Sequence, residues 1–135
     1  AAPIICYETI YGEFVTDYIK KGANFLAILT NDAWWRNTQG HKQLLSYTRL
    51  RAIETRRSVV RSANTGISAF INGRGEVLQT LPYGVQGSLK GTIALNDEVT
   101  FYVRMGDYLA RIAYFLAFFI FLSAVVKRRG LLSKN

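Results

Sequence analysis

The feature that most constrains this chain is "IAYFLAFFIFLSAVV" at residues 112–126, fifteen positions without a charge. With Tyr108, Leu109 and Ala110 the apolar stretch reaches about nineteen positions, broken only by Arg111. Roughly 20 residues at 1.5 Å each cross about 30 Å of hydrocarbon. Arg111 sits near the start, where a long side chain can snorkel to the headgroups. "KRR" follows directly at 127–129, and basic residues beside a span are retained in the cytoplasm. A buried core helix is the competing reading. Aromatics on mixed faces, the lack of a polar side and the basic stop favour a membrane span.

A span with its C-terminus inside puts residues 1 to about 105 outside the cytoplasm. The formal net charge is +8, but part of the excess lies in Lys127, Arg128, Arg129 and Lys134. It reads as a topology signal or anionic-lipid contact rather than nucleic-acid binding, and no nucleic-acid partner is expected. The 135 residues suffice for one domain. The chain opens at Ala1 directly into an apolar run, so the expectation is a fragment of something longer on its N-terminal side.

Ala2 to Ile5 reads as a buried strand. From Thr9 onward two apolar columns, Ile10/Phe14/Tyr18 and Tyr11/Val15/Ile19, predict a helix that covers a sheet and stops at Gly22. "NFLAILT" at 24–30 is the next strand, giving the βαβ signature of a parallel layer. A polar loop, "NDAWWRNTQG" at 31–40, precedes a helix from about His41 to Arg57. "SVVRSAN" at 58–64 resumes strand character, and "GISAFINGRGEVLQTL" predicts a hairpin turning at 72–75. "GSLKGTIAL" at 87–95 predicts one more strand.

Cys6, the only cysteine, stands on the turn between the first strand and the first helix. Exported domains use structural cysteines in pairs, so a lone thiol there is either a buried passenger or a reactive group. A strand-to-helix turn lifts a nucleophile clear of the sheet. The amides and positive end of the following helix favour thiolate and can hold an oxyanion. That geometry suits acyl transfer through a thioester, while a small buried hydrophobe ending a strand is the alternative.

Two stretches, "ICYE" at 5–8 and "RLRAIETRRSVVRSANTGISAFINGRGE" at 49–76, resemble the C-terminal half of a nitrilase-superfamily domain. There the cysteine ends a strand as C-Y-E or C-Y-D, and an R-A-x-E helix follows about 45 residues later, as Glu54 follows Cys6. "TNDAWW" at 30–35 together with the C-terminal span narrows the resemblance to the bacterial apolipoprotein N-acyltransferases, over about residues 3–129. Two departures are Trp35-Arg36 where that family has Phe-Gly, and Leu44 where many members have a histidine after Gln43.

The resemblance implies a partial nitrilase-like α-β-β-α sandwich at 1–105, one transmembrane helix at 106–129 and a cytoplasmic tail at 130–135. The domain would face the periplasm, in a protein that crosses the bacterial inner membrane several times. The implied reaction moves an acyl chain from a phospholipid donor to the cysteine, then to the amino group of a diacylglyceryl-modified lipoprotein acceptor. Cys6 matches the nucleophile, Tyr7 and Glu8 the supporting residues after it, and Trp34 a loop near the lipid entrance. The family's general-base Glu and oxyanion Lys precede the cysteine and are not expected within this chain, so the fragment alone is expected to be inactive. Rival readings are a nitrilase-type amidase and a membrane-anchored binding protein.

Other motifs carry plainer expectations. Glu54, Arg51 and Arg57 are expected to share a helix face as an ion-pair cluster. Glu8 is as ready to pair with an arginine as to act on Cys6. Arg49, Arg56 and Arg61 are expected on solvated faces, with lipid phosphates as the alternative. Trp34 and Trp35 are either an interfacial pair or loop anchors. His41 is expected to begin a helix rather than serve as a base. One Cys and one His do not assemble a metal site, and no cofactor is implied.

Overall fold

The computed structural model describes residues 1–132, with the side chains of 129–132 left aside. Five strands form one mixed sheet in chain order: β1 (Ala2–Ile5), β2 (Leu26–Asn31), β3 (Val59–Asn64), β4 (Ser68–Ile71) and β5 (Val77–Leu81). β1, β2 and β3 run parallel, and β4 and β5 continue antiparallel. Parallel neighbours need a crossover. α1 (Gly12–Lys20) supplies the first and α2 (Gln39–Thr55) the second. α3 (Phe101–Met105) and α4 (Tyr108–Leu132) close the chain.

Register decides which side chains meet. Ala2 and Ile4 of β1 align with Leu26 and Ile28, then with Val59 and Arg61, and these with Ile71 and Ala69. This face is buried beneath Val15 and Ile19 of α1, Ala52 of α2 and Val103 of α3. Each fully buried Val, Leu or Ile here contributes about 1.5–3 kcal/mol of transfer free energy. The opposite face shows Ile5 and Leu29 largely exposed. The chain therefore builds one α layer on one sheet, the mixed α/β half-sandwich that the sequence suggests.

Several boundaries differ from expectation. The helix foreseen from Thr9 begins instead as a 3-10 turn at Cys6–Ile10, breaks at Tyr11 and becomes α-helical at Gly12. Of its two apolar columns, Val15 and Ile19 are buried, while Tyr11 and Phe14 are exposed. Gly22, at φ +91°, ends the helix as foreseen. α2 stops at Thr55 because Arg56 turns left-handed at φ +53°, which swings Arg57 away from Glu54. Arg57 instead donates to the carbonyls of Ala23, Thr55 and Glu98, and burial lowers its pKa. The foreseen ion-pair cluster thus reduces to Arg51–Glu54 at 3.1 Å.

Residues 87–95 form no strand. The Ala94 carbonyl instead accepts from Ser58 Oγ at 2.8 Å, and just past the segment the Asn96 N–H donates to the Asn24 carbonyl at 3.2 Å. α4 carries one stretch, Tyr108–Arg128, long and apolar enough to cross a membrane, with a mean hydropathy of 2.3 and none of it buried. Of the expected tail at 130–135, residues 133–135 lie outside the described residues.

Candidate active site

Three parallel strands end along one edge of the sheet, with Cys6 just past β1, Asp32 just past β2 and Thr65 just past β3. In open α/β sheets the crevice beyond the carboxyl ends is where ligands bind. Cys6 is half-buried and adopts φ +49°. A side chain with a Cβ occupies that region at a cost of about 1–2 kcal/mol, and such strain concentrates where a group must be aimed. The helix behind Cys6, however, is only a five-residue 3-10 turn, so the long-helix dipole foreseen from the sequence is not aimed at the sulfur.

Glu8 braces this turn rather than meeting an arginine. Its Oε2 accepts the Ile5 N–H at 2.7 Å, satisfying an amide that the turn would otherwise leave free. Tyr7 is half-exposed, with its ring centroid 6.2 Å from that of Trp35. The two tryptophans part company. Trp35 packs over Gly40, where an added Cβ would lie 2.5 Å from the indole, so it anchors the loop. Trp34 projects outward, 82% exposed.

The feature that sequence reasoning missed lies directly beneath. Arg61, expected on a solvated face, is 3% exposed because its register places it on the helix-covered side. Its guanidinium donates to Asp32 Oδ2 at 2.6 Å, to Thr48 Oγ1 at 3.0 Å and to the Ile67 carbonyl at 3.1 Å. Thr30 Oγ1 donates to the other oxygen of Asp32 at 2.8 Å. Burial lowers the Arg61 pKa, and the Asp32 carboxylate opposes that. The available signal was an arginine at an inward position of the alternation Val59, Arg61, Ala63, which demands a buried carboxylate.

The other polar groups sort by location. Arg49 Nε donates to the Gly75 carbonyl at 2.8 Å, in the hairpin turn, and Arg56 is exposed at the end of α2. His41 sits in the first turn of α2, buried and stacked on Tyr83 at 4.6 Å, with Nδ1 unpartnered. Gly66 lies against Asp32, where a Cβ would come within 2.6 Å of the carboxylate carbon. A hollow of about 420 Å³ opens beside the end of β3, lined by Ser62, Asn64, Thr65, Ser68 and Val85 among others. The larger hollow, about 880 Å³, lies at the opposite end of the sheet around Ser58, Asn72 and Phe101. Cys6 does not line it, so size does not identify the site here. No cluster of three metal-ligating side chains occurs among the described residues.

Comparison with known proteins bears on the same elements. The carbon–nitrogen hydrolase family model matches residues 1–101. The apolipoprotein N-acyltransferase of Chlorobaculum tepidum is 35% identical over 128 residues, covering 95% of this chain and 24% of the relative. Those of Geobacter metallireducens and Haemophilus influenzae are 36% and 38% identical over 107 and 106 residues, covering 79% and 78% of this chain. The chain spans about a quarter or less of the length of these relatives.

Proposed function

Because the chain belongs to the carbon–nitrogen hydrolase family, we propose that it carries the nucleophile of a membrane-bound acyltransferase. The reaction is transfer of a fatty acyl chain to the amino terminus of a diacylglyceryl-modified lipoprotein. The observation that carries this reading is Cys6 itself, held at positive φ on the carboxyl edge of the parallel strands, the edge where Asp32 follows β2. The names of the curated relatives supply the substrate class.

In the first step the Cys6 thiolate attacks the ester carbonyl carbon of a phospholipid. A carbon–sulfur bond forms, the ester carbon–oxygen bond breaks, and the lysophospholipid oxygen leaves with a proton. In the second step the acceptor's amine attacks the thioester carbonyl. The amide bond forms, the carbon–sulfur bond breaks, and the amine's proton is released as the thiolate returns. Tyr7 and Glu8 support the nucleophile turn, and Trp34 lines the lipid approach. The family's base Glu and oxyanion Lys, upstream in the resemblance, complete the chemistry, so these 135 residues alone do not turn over. Residues 1–105 form the domain portion and face the periplasm. Residues 106–129 cross the bacterial inner membrane as one of several spans, and 130–135 form a cytoplasmic tail after the basic stop.

The test is acyl transfer in phospholipid vesicles by the full-length protein, with a diacylglyceryl-cysteine peptide as acceptor. A peptide mass increase of one fatty acyl amide, absent with Cys6→Ala, is expected. Hydrolysis of small amides without acyl transfer would replace this reading with an amidase, and neither activity would leave a binding protein. Turnover by the isolated 135 residues would overturn the assignment of roles.

A further inference from the structure

Arg111 was expected to snorkel to headgroups, but its guanidinium is already engaged. Nη2 donates to Glu13 Oε1 at 2.5 Å, and Nη1 to the Met105 carbonyl at 3.2 Å. The same Glu13 oxygen accepts the Asp107 N–H at 2.8 Å. Gly106 is shaped to this junction: at φ +63°, an added Cβ would collide with Glu13 Oε1 and lie 3.0 Å from Arg111 Nη2. The bond to the Asp107 amide, with Arg111 beside it, lowers the Glu13 pKa and keeps its carboxylate ionised. Arg111 is also the one charge between Tyr108 and Val126.

These contacts join the second residue of α1 to the first turn of α4. The 21 residues Tyr108–Arg128 span about 30 Å, the hydrocarbon thickness. Arg111, one turn in, therefore lies at the headgroup boundary and brings Glu13 to the same level. The Cys6–Ile10 turn immediately precedes α1 and is about 10 Å long at the 3-10 rise of about 2 Å per residue. Headgroup zones are about 5–8 Å deep on each side of the hydrocarbon. Tyr7, Tyr11 and Trp34 near this end are exposed, as aromatics at an interface are.

We propose that Glu13, Arg111 and Gly106 form a latch that fixes the height and tilt of the Cys6 turn on the bilayer, so that the thiol meets ester carbonyls of lipids still in the membrane. They are positioning residues and touch no reacting atom. The inference rests on the acyl-transfer reading. It goes further in assigning the use of bilayer-embedded donors to a junction between α1 and α4.

The test compares two acyl donors in the full-length protein reconstituted in vesicles. One is the bilayer phospholipid, the other a water-soluble short-chain acyl thioester; both are read as acylation of the Cys6 peptide by mass spectrometry. Glu13→Gln and Gly106→Ala should slow acylation from phospholipid on the order of 10- to 100-fold, the range of a misplaced reacting pair. Acylation from the soluble donor should change less than about twofold. The exchanged pair Glu13→Arg with Arg111→Glu should recover part of the loss, which a variant defective in folding would not do. Wild-type rates from phospholipid in both single variants would overturn the latch, and so would equal losses with both donors. If wild-type protein takes an acyl group from neither donor, the acyl-transfer reading itself fails.

Discussion

Removing the carboxylate at position 32 should unfold much of what the sheet edge depends on. Asp32 and Arg61 are both buried and face each other at 2.6 Å. Asp32→Ala leaves the guanidinium with only two neutral acceptors, Thr48 Oγ1 and the Ile67 carbonyl, and deprives the Thr30 hydroxyl of its partner. Breaking a buried pair from one side costs about 3–5 kcal/mol, because the remaining charge stays desolvated. Domains have only about 5–15 kcal/mol in total. The assay is denaturant unfolding in detergent, followed by fluorescence of the site tryptophans, for the single variants and for Asp32→Ala with Arg61→Met. Removing both charges should cost less than the two single effects summed, with a coupling of about 2 kcal/mol or more. A loss below about 1 kcal/mol for Asp32→Ala, or additive effects, would refute the claim that the pair is a desolvated unit.

Three further outcomes follow from the same geometry. Cys6→Gly should be more stable than Cys6→Ala by about 1 kcal/mol in the same unfolding assay, since only glycine relaxes at φ +49°, while both variants lose acylation. Burial raises the Glu54 pKa against the opposing pull of Arg51. The folded state then holds that proton above the usual carboxylate value of 4.5, so stability falls as pH rises from there through the folded pKa. Glu54→Gln should remove that slope from midpoints measured across pH 4–7, whatever the absolute stability. Trp34→Ala should leave stability within about 0.5 kcal/mol, as for an exposed side chain, yet lower acylation from bilayer lipid more than from a soluble donor.

The local elements were readable because their signals are local. Ile4, Ile28 and Val59 lie on short apolar runs, Gly22 marks a helix end, and the turn at 72–75 closes with Gly75 at φ +79°, all visible within a few residues. The errors arose where a tertiary partner decides. "GTIAL" has strand-like composition, but its Ala94 carbonyl accepts from the Ser58 hydroxyl rather than from a sheet edge. Arg57 obeyed helical spacing from Glu54 until Arg56 turned left-handed. Asp32 and Arg61 are 29 residues apart, and Glu13 and Arg111 are 98 apart. No window over the chain brings either pair together. The position of Cys6 was legible as a junction. Its φ and its buried neighbours depend on how β1, β2 and β3 end together.

The most direct measurement concerns the thiol. The full-length protein, held in phospholipid vesicles without acceptor and digested, should yield the Cys6 peptide heavier by one fatty acyl group. Neutral hydroxylamine should remove that mass, adding the diacylglyceryl-cysteine peptide should discharge it, and Cys6→Ala should never show it. Acyl transfer that proceeds at full rate while Cys6 stays unmodified, or that survives in Cys6→Ala, would contradict the assignment of Cys6 as the nucleophile.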